Sequence, residues 1–183
     1  VYYFTEAFKA LGGEVVSEDF PEGNANFVSY INNAKSADAG VIFAPVSTNY
    51  AQLIIEAASA QGFEGHLLGS DTWDNNMVIE SAKGKSVNVE ITTFYQEGGA
   101  PEFDSGIKAW MNENPDALTN NGGNDMVSAV TAMGYDAYFV ALEAIKAAGS
   151  TDPAAVLAAL PGVSYSGVSG LIEFDEIGDA KRD

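Results

Sequence analysis

Two short stretches hold the residue types best suited to chemistry, "APVSTN" (44–49) and "GSDTWDNN" (69–76). Each follows a brief apolar run, "GVIFA" (40–44) and "HLLG" (66–69). In the first stretch Ser47 and Thr48 open a helical pattern. Its unpaired backbone N–H groups, together with two hydroxyls, suit an acceptor or a partial negative charge. In the second, Asp71 offers a carboxylate, which suits an ammonium group. Trp73 is large enough to wall an apolar or cationic group off from water. A small zwitterion or amine would satisfy both loops. The alternative is that Ser47 and Asp71 only cap the helices that follow, while Trp73 seals a sheet edge. The residues alone leave both open.

The elements that must place these loops are legible from periodicity. A continuous apolar run of four or five residues reads as a strand buried on both faces. After "GVIFA" comes "STNYAQLIIEAASAQG", with Tyr50, Leu53, Ile54 and Ala57 as its buried stripe and Gly62 as its stop. "HLLG" is followed by a helical turn over about 75–83 and by the β-rich "VNVEITTF" (87–94). Upstream, an opening helix ends at Gly12-Gly13, "EVVSEDF" (14–20) reads as a strand, and "NANFVSYINNAK" (24–35) as a helix capped by Asn24 or Asn26. Strands separated by helices of this length imply right-handed crossovers. The predicted fold is therefore α/β, a doubly wound, mostly parallel sheet with flanking helices. In such a sheet ligands bind beyond the carboxyl ends of the strands, where both loops lie.

From about residue 98 the pattern changes to helices with little strand: 103–113, 125–148 capped by Asn124 or Asp125, and "STDPAAVLAALPG" (150–162) with Asp152 as cap and Pro153 in the first turn. "NPDALTNNGGND" (114–125) reads as a polar loop and "SGLIEFDEIGD" (169–179) as a strand and turn. Three helices with so little strand look like part of a layer whose sheet comes from elsewhere. Residue 1 already sits within a helical pattern and no signal peptide precedes it, so the chain reads as cut from something longer.

Composition narrows the function. The 183 residues are 46% apolar, with 8 basic against 26 acidic residues and a net charge of −18. A chain so acidic, without a Lys/Arg cluster, repels phosphate backbones and anionic membrane surfaces. It has no cysteine, which removes disulfides, thiolate metal sites and thiol catalysis. The single histidine, His66, begins an apolar strand and reads as structural. "SYSGVSG" (164–170) lacks the strand–turn–helix setting of a nucleophile elbow, and "FDEIGD" (174–179) is too short for a calcium loop. No phosphate-binding glycine loop occurs. No catalytic residue, cofactor or metal is expected.

"FKALGGEVV", "LIIEAASAQGF", "LLGSDTWDN", "AVTAMGYDAYFVALEAIKAAGSTDPAAVLAAL" and "YSGVSGLIEFDEIGDAKRD" together resemble the branched-chain amino acid type of ABC transporter solute-binding protein. The resemblance covers nearly the whole chain in order. It implies the type I periplasmic-binding-protein fold, two lobes joined by three crossings. Residues 1–97 would be most of the second lobe, without its first strand. Residues 98–183 would be a mainly helical second segment of the first lobe, with the return crossing after Asp183. It also implies that Asp71 takes a ligand ammonium and that Val46 and Ser47 line the same pocket. The candidate ligand-binding set is Val46, Ser47, Thr48, Asp71, Thr72 and Trp73. Val46 stands where relatives carry an aromatic, and Asp71 is shorter than the Glu of some, so side-chain specificity stays open. The groups gripping the ligand carboxylate would lie outside this chain. The implied partners are a small amino acid or analogue and a membrane permease, the implied location extracytoplasmic (periplasmic or lipid-anchored), and open sheet edges would favour self-association. A ligand-sensing receptor domain of the same fold is the alternative.

Overall fold

The structure, a computed structural model, describes residues 1–181. The chain divides into two compact units, Val1–Thr92 and a second from Thr93 onward.

The first unit is built on three strands, β1 (Val41–Ala44), β2 (His66–Gly69) and β3 (Asn88–Ile91), in the order β1-β2-β3. All are parallel, with Val41 opposite His66, Ala44 opposite Gly69, and Gly69 opposite Ile91. The expected parallel sheet is therefore present, with β2 at its centre. Alternation puts Ile42, Ala44, Leu67 and Val89 on one face. There they meet α2 (Val28–Ser36), α3 (Thr48–Ala60) and α4 (Asn76–Ala82) in a core that includes Phe27, Ile31, Ile54 and Ile55. On the other face Phe4 of α1 (Tyr2–Ala10) stacks on Phe43 with ring centres 4.2 Å apart. His66 Nδ1 lies 2.7 Å from Glu90 Oε1 on that face, an exposed pair.

Three local expectations are corrected. The run 14–20 makes no strand. β-prone residues form a strand only against a neighbouring edge, and these pair with none. Asn26 does accept the Val28 N–H, at 3.0 Å, but the cap position of α2 is Phe27. The stretch 114–125 is not all loop, since α6 spans Pro115–Asn120. Its polar composition hid a helix that Pro115 starts from the first-turn position.

In the second unit α5 (Pro101–Glu113), α6, α7 (Ala129–Ala148) and α8 (Pro153–Ala159) accompany an antiparallel sheet of β4 (Tyr165–Gly167), β5 (Gly170–Phe174) and β6 (Ala180–Lys181). The long helix begins after Ser128 rather than at 125; Asn124 instead accepts the Met126 N–H at 3.0 Å. It ends as expected at Gly149, whose φ of 59° is left-handed. Asp152 caps α8 through the N–H groups of Ala154 and Ala155, at 3.1 and 3.0 Å. Arg182 and Asp183, after which the return crossing was expected, lie outside the described residues.

Two carboxylates anchor the entry to this unit. Buried Asp104 accepts from Tyr95 Oη at 2.6 Å and from Gly98 N at 2.7 Å. Burial, reinforced by the bond to Asp104, pushes the Tyr95 phenol up to about 12. Glu97 accepts from Lys108 Nζ at 2.5 Å and from Val127 N at 2.9 Å. Those two bonds, the lysine's first, hold its carboxyl below the ordinary range, and Glu97 in turn raises Lys108. A lowered folded-state carboxyl pKa stabilises above the unfolded value, and that contribution is lost as pH falls through the folded one. For raised Lys108 the contribution is complete below its unfolded value and lost above its folded one. Lys108→Met should therefore flatten the fall in stability between about pH 5 and pH 2. It should not abolish it, because Val127 still bonds Glu97. Urea melts across that range check the slope.

Candidate functional site

The parallel register brings the two chemistry-bearing loops together. Ala44 and Gly69 end adjacent strands at the same level, so the chain leaves the sheet side by side after each. After β1 it turns through Pro45–Ser47 into α3; after β2 it enters a single 3₁₀ turn, Asp71–Trp73. Two hydrogen bonds join the loops and a third braces the second loop from within. Thr48 Oγ1 donates to the Thr72 carbonyl at 3.0 Å, Thr72 Oγ1 donates to the Val46 carbonyl at 2.7 Å, and Ser70 Oγ lies 2.9 Å from Thr72 Oγ1. Val46, Ser47, Thr48, Asp71 and Thr72 thus occupy one small region at the carboxyl end of the sheet.

Asp71 is the residue in this region with capacity to spare. It is half-buried, and its carboxylate has no hydrogen-bond or ionic partner among the described residues. It does not cap a helix. Ser70 holds the cap position of the 3₁₀ turn without a side-chain capping bond, and α4 is capped by Asn75, whose side chain accepts the Met77 N–H at 2.8 Å. The capping explanation fails for Ser47 as well. It occupies the cap position of α3, with φ −64° and ψ 158°, yet its side chain makes no capping bond. The start of α3 therefore keeps N–H groups that no side chain takes up, beside an exposed hydroxyl.

Trp73 departs from expectation. Its ring is 1% exposed and belongs to the core of the first unit, so its face is turned away from any ligand above the loop. The indole fills the space over Gly69, where an added Cβ would overlap the ring. That explains why β2 ends in glycine. Its Nε1 is buried with no partner among the described residues. Thr48 and Thr72 were expected to face a ligand, yet their hydroxyl protons are spent on the neighbouring loop. The clue the residues offered was "LLGSDTW" itself, since a strand ending in glycine two residues before a short turn leaves room for an inward ring.

No group of three or more His, Asp or Glu side chains among the described residues is disposed to hold a metal ion. No helix among them is long and apolar enough to cross a membrane. What the arrangement offers is recognition: a spare carboxylate, a free hydroxyl and a helix start on a braced platform.

Comparison with known proteins agrees with a binding role. A search of the curated proteins found no match. Among solved structures, a leucine-binding protein from Thermotoga maritima superposes with a TM-score of 0.80 at 28% identity, covering 98% of this chain and 49% of that one. A solute-binding protein of an ABC transporter from R. palustris, in complex with benzoate, gives 0.76 at 18% identity, with 98% and 48% covered. The branched-chain amino acid transporter substrate-binding protein of Streptococcus pneumoniae, in complex with isoleucine, gives 0.72 at 20%, with 94% and 48% covered. The chain spans about half the length of these proteins, and its fold is that of type I periplasmic binding proteins over that half. The family described as periplasmic binding protein matches residues 3–181, and the chain belongs to that family.

Proposed function

We propose that this chain supplies the ammonium-binding side of an amino-acid site in an extracytoplasmic solute-binding component of an ABC importer. The observation that carries this reading is Asp71, a half-buried carboxylate at the carboxyl end of a parallel sheet with no partner among the described residues. A carboxylate held without a partner where ligands enter such folds has an unused capacity to bind a cation. In this reading the first unit belongs to the second lobe of the binding protein and the second unit to part of the first lobe. The ligand's carboxylate is gripped by residues outside this chain, and a membrane permease receives the loaded protein.

Asp71 also discriminates between the ligands of the similar proteins. Leucine and isoleucine carry an ammonium for it to meet. Benzoate carries only an anion, which Asp71 would repel. Val46, half-buried beside the site, leaves space where an aromatic side chain would intrude, which suits an aliphatic ligand. Titration calorimetry of the full-length gene product should therefore show L-leucine, L-isoleucine or L-valine binding and no heat from benzoate. Binding of benzoate in preference to every amino acid would overturn the assignment.

A further inference from the structure

The proton count at Thr72 assigns it a role other than touching the ligand. A hydroxyl has one proton to donate and two lone pairs to accept with. Thr72 donates to the Val46 carbonyl at 2.7 Å, so in its 2.9 Å contact with Ser70 it must be the acceptor and Ser70 the donor. Its own carbonyl receives the Thr48 hydroxyl at 3.0 Å. One residue therefore ties Val46 and Thr48 on the first loop to Ser70 and itself on the second, so that the two loops move together. Without these bonds, Asp71 would sit on a single turn closed by Trp73 N to Ser70 O at 2.9 Å and Asp74 N to Asp71 O at 3.0 Å. The inward Trp73 ring fixes the turn to the core beneath it. Thr72 ties the same turn to the neighbouring loop.

We propose that Thr72 is the positioning residue of the ammonium site, locking the 70–74 loop to the 45–48 loop so that Asp71 is already placed before ligand arrives. This rests on the reading of Asp71 given above. Thr72 is exposed, and exposed hydrogen bonds add little to net stability because water replaces them. Their effect is on position, and a charge-assisted contact is sensitive to small displacements of the group that makes it. An agent of position acts through Asp71 alone, whereas an agent of general stability would affect every ligand.

The test uses the full-length gene product with two probes, L-leucine and 4-methylpentanoate, which is leucine without its amino group. Thr72→Val should weaken L-leucine about tenfold, equal to about 1.4 kcal/mol, and leave 4-methylpentanoate unchanged. Thr72→Ser, which keeps the hydroxyl, should stay within about twofold of wild type, less than about 0.5 kcal/mol. In an Asp71→Asn background Thr72→Val should cost nothing further. Equal losses for both probes, additivity with Asp71→Asn, or a Thr72→Val protein that binds leucine like wild type would each overturn the proposal. If Asp71→Asn itself leaves leucine binding intact, or wild type takes neither probe, the function assigned to Asp71 fails and the brace falls with it.

Discussion

Asp71→Asn is expected to weaken L-leucine binding to the full-length gene product by at least roughly tenfold. A hydrogen bond to a charged group contributes about 1.5–3 kcal/mol. Where binding desolvates the pair, removing one charge can cost about 3–5 kcal/mol, because the other is left buried and unpaired. One decade of affinity corresponds to about 1.4 kcal/mol, so the range runs from about ten-fold to about a thousand-fold or more. The substitution keeps the shape and removes the charge. Folding should survive, because this carboxylate makes no bond among the described residues, and a change of that kind stays within about 0.5 kcal/mol. Glu64→Gln serves as the control. Glu64 is an exposed acid just before β2, at the opposite end of the sheet, so it removes the same charge far from the loops. Calorimetry on the three proteins decides the matter; an Asp71→Asn protein that binds like the Glu64→Gln control would place the ammonium elsewhere.

The position of Asp71 was legible before any coordinates, and the reason is physical. A buried strand writes itself as a short apolar run, and a parallel sheet puts every such run's exit at one end; burial on both faces was not met, since the face carrying Val41, His66 and Glu90 is exposed. "HLLG" followed by "SD" therefore located both the strand and the loop. Which way each loop side chain turns was not legible. Trp73 and Asp71 are two residues apart on a 3₁₀ turn, and no periodicity over three residues separates an inward ring from an outward carboxylate. The brace was hidden for a related reason: Thr48 and Thr72 find each other across 24 positions, Thr72 and Val46 across 26. Threonine reads locally as a cap or a turn residue, so its long-range use leaves no mark in composition. The segment 14–20 failed in the opposite direction, since its residues favour a strand and the outcome depended on a partner edge. The same limit hid Asp136. Within "MGYDA" it looks like an ordinary polar position on a helix, yet it is the most buried charged side chain described, at 0% exposure.

That residue carries the largest stability effect expected in the second unit. Asp136 projects from α7 into the turn joining β4 and β5, where its carboxylate accepts from Val168 N at 2.9 Å, Ser169 N at 2.8 Å and Ser169 Oγ at 2.5 Å. The turn is shaped around it. A Cβ at Gly167 would overlap the carboxylate carbon and both of its oxygens, and Gly170 closes the turn with a φ of 107°. The carboxylate cannot move aside without giving up its three donors, so Gly167→Ala should cost about 3 kcal/mol, at the upper end of overpacking effects. Asp136→Ala removes the acceptor that the Val168 and Ser169 N–H groups share in a partly buried site, at about 1–3 kcal/mol for a donor left unsatisfied. The two costs share one cause and should not add. With Asp136 already truncated, the methyl of Ala at position 167 enters vacated space, and its cost should shrink to within about 0.5 kcal/mol of zero. Hydrogen exchange at the Val168 and Ser169 amides reports on this hairpin directly, whatever the rest of the chain is doing. Both amides should lose protection in each single variant, and the double variant should exchange no faster than Asp136→Ala alone. A double variant whose exchange rates reflect the sum of both losses would mean that the clash at Gly167 is with something other than this carboxylate.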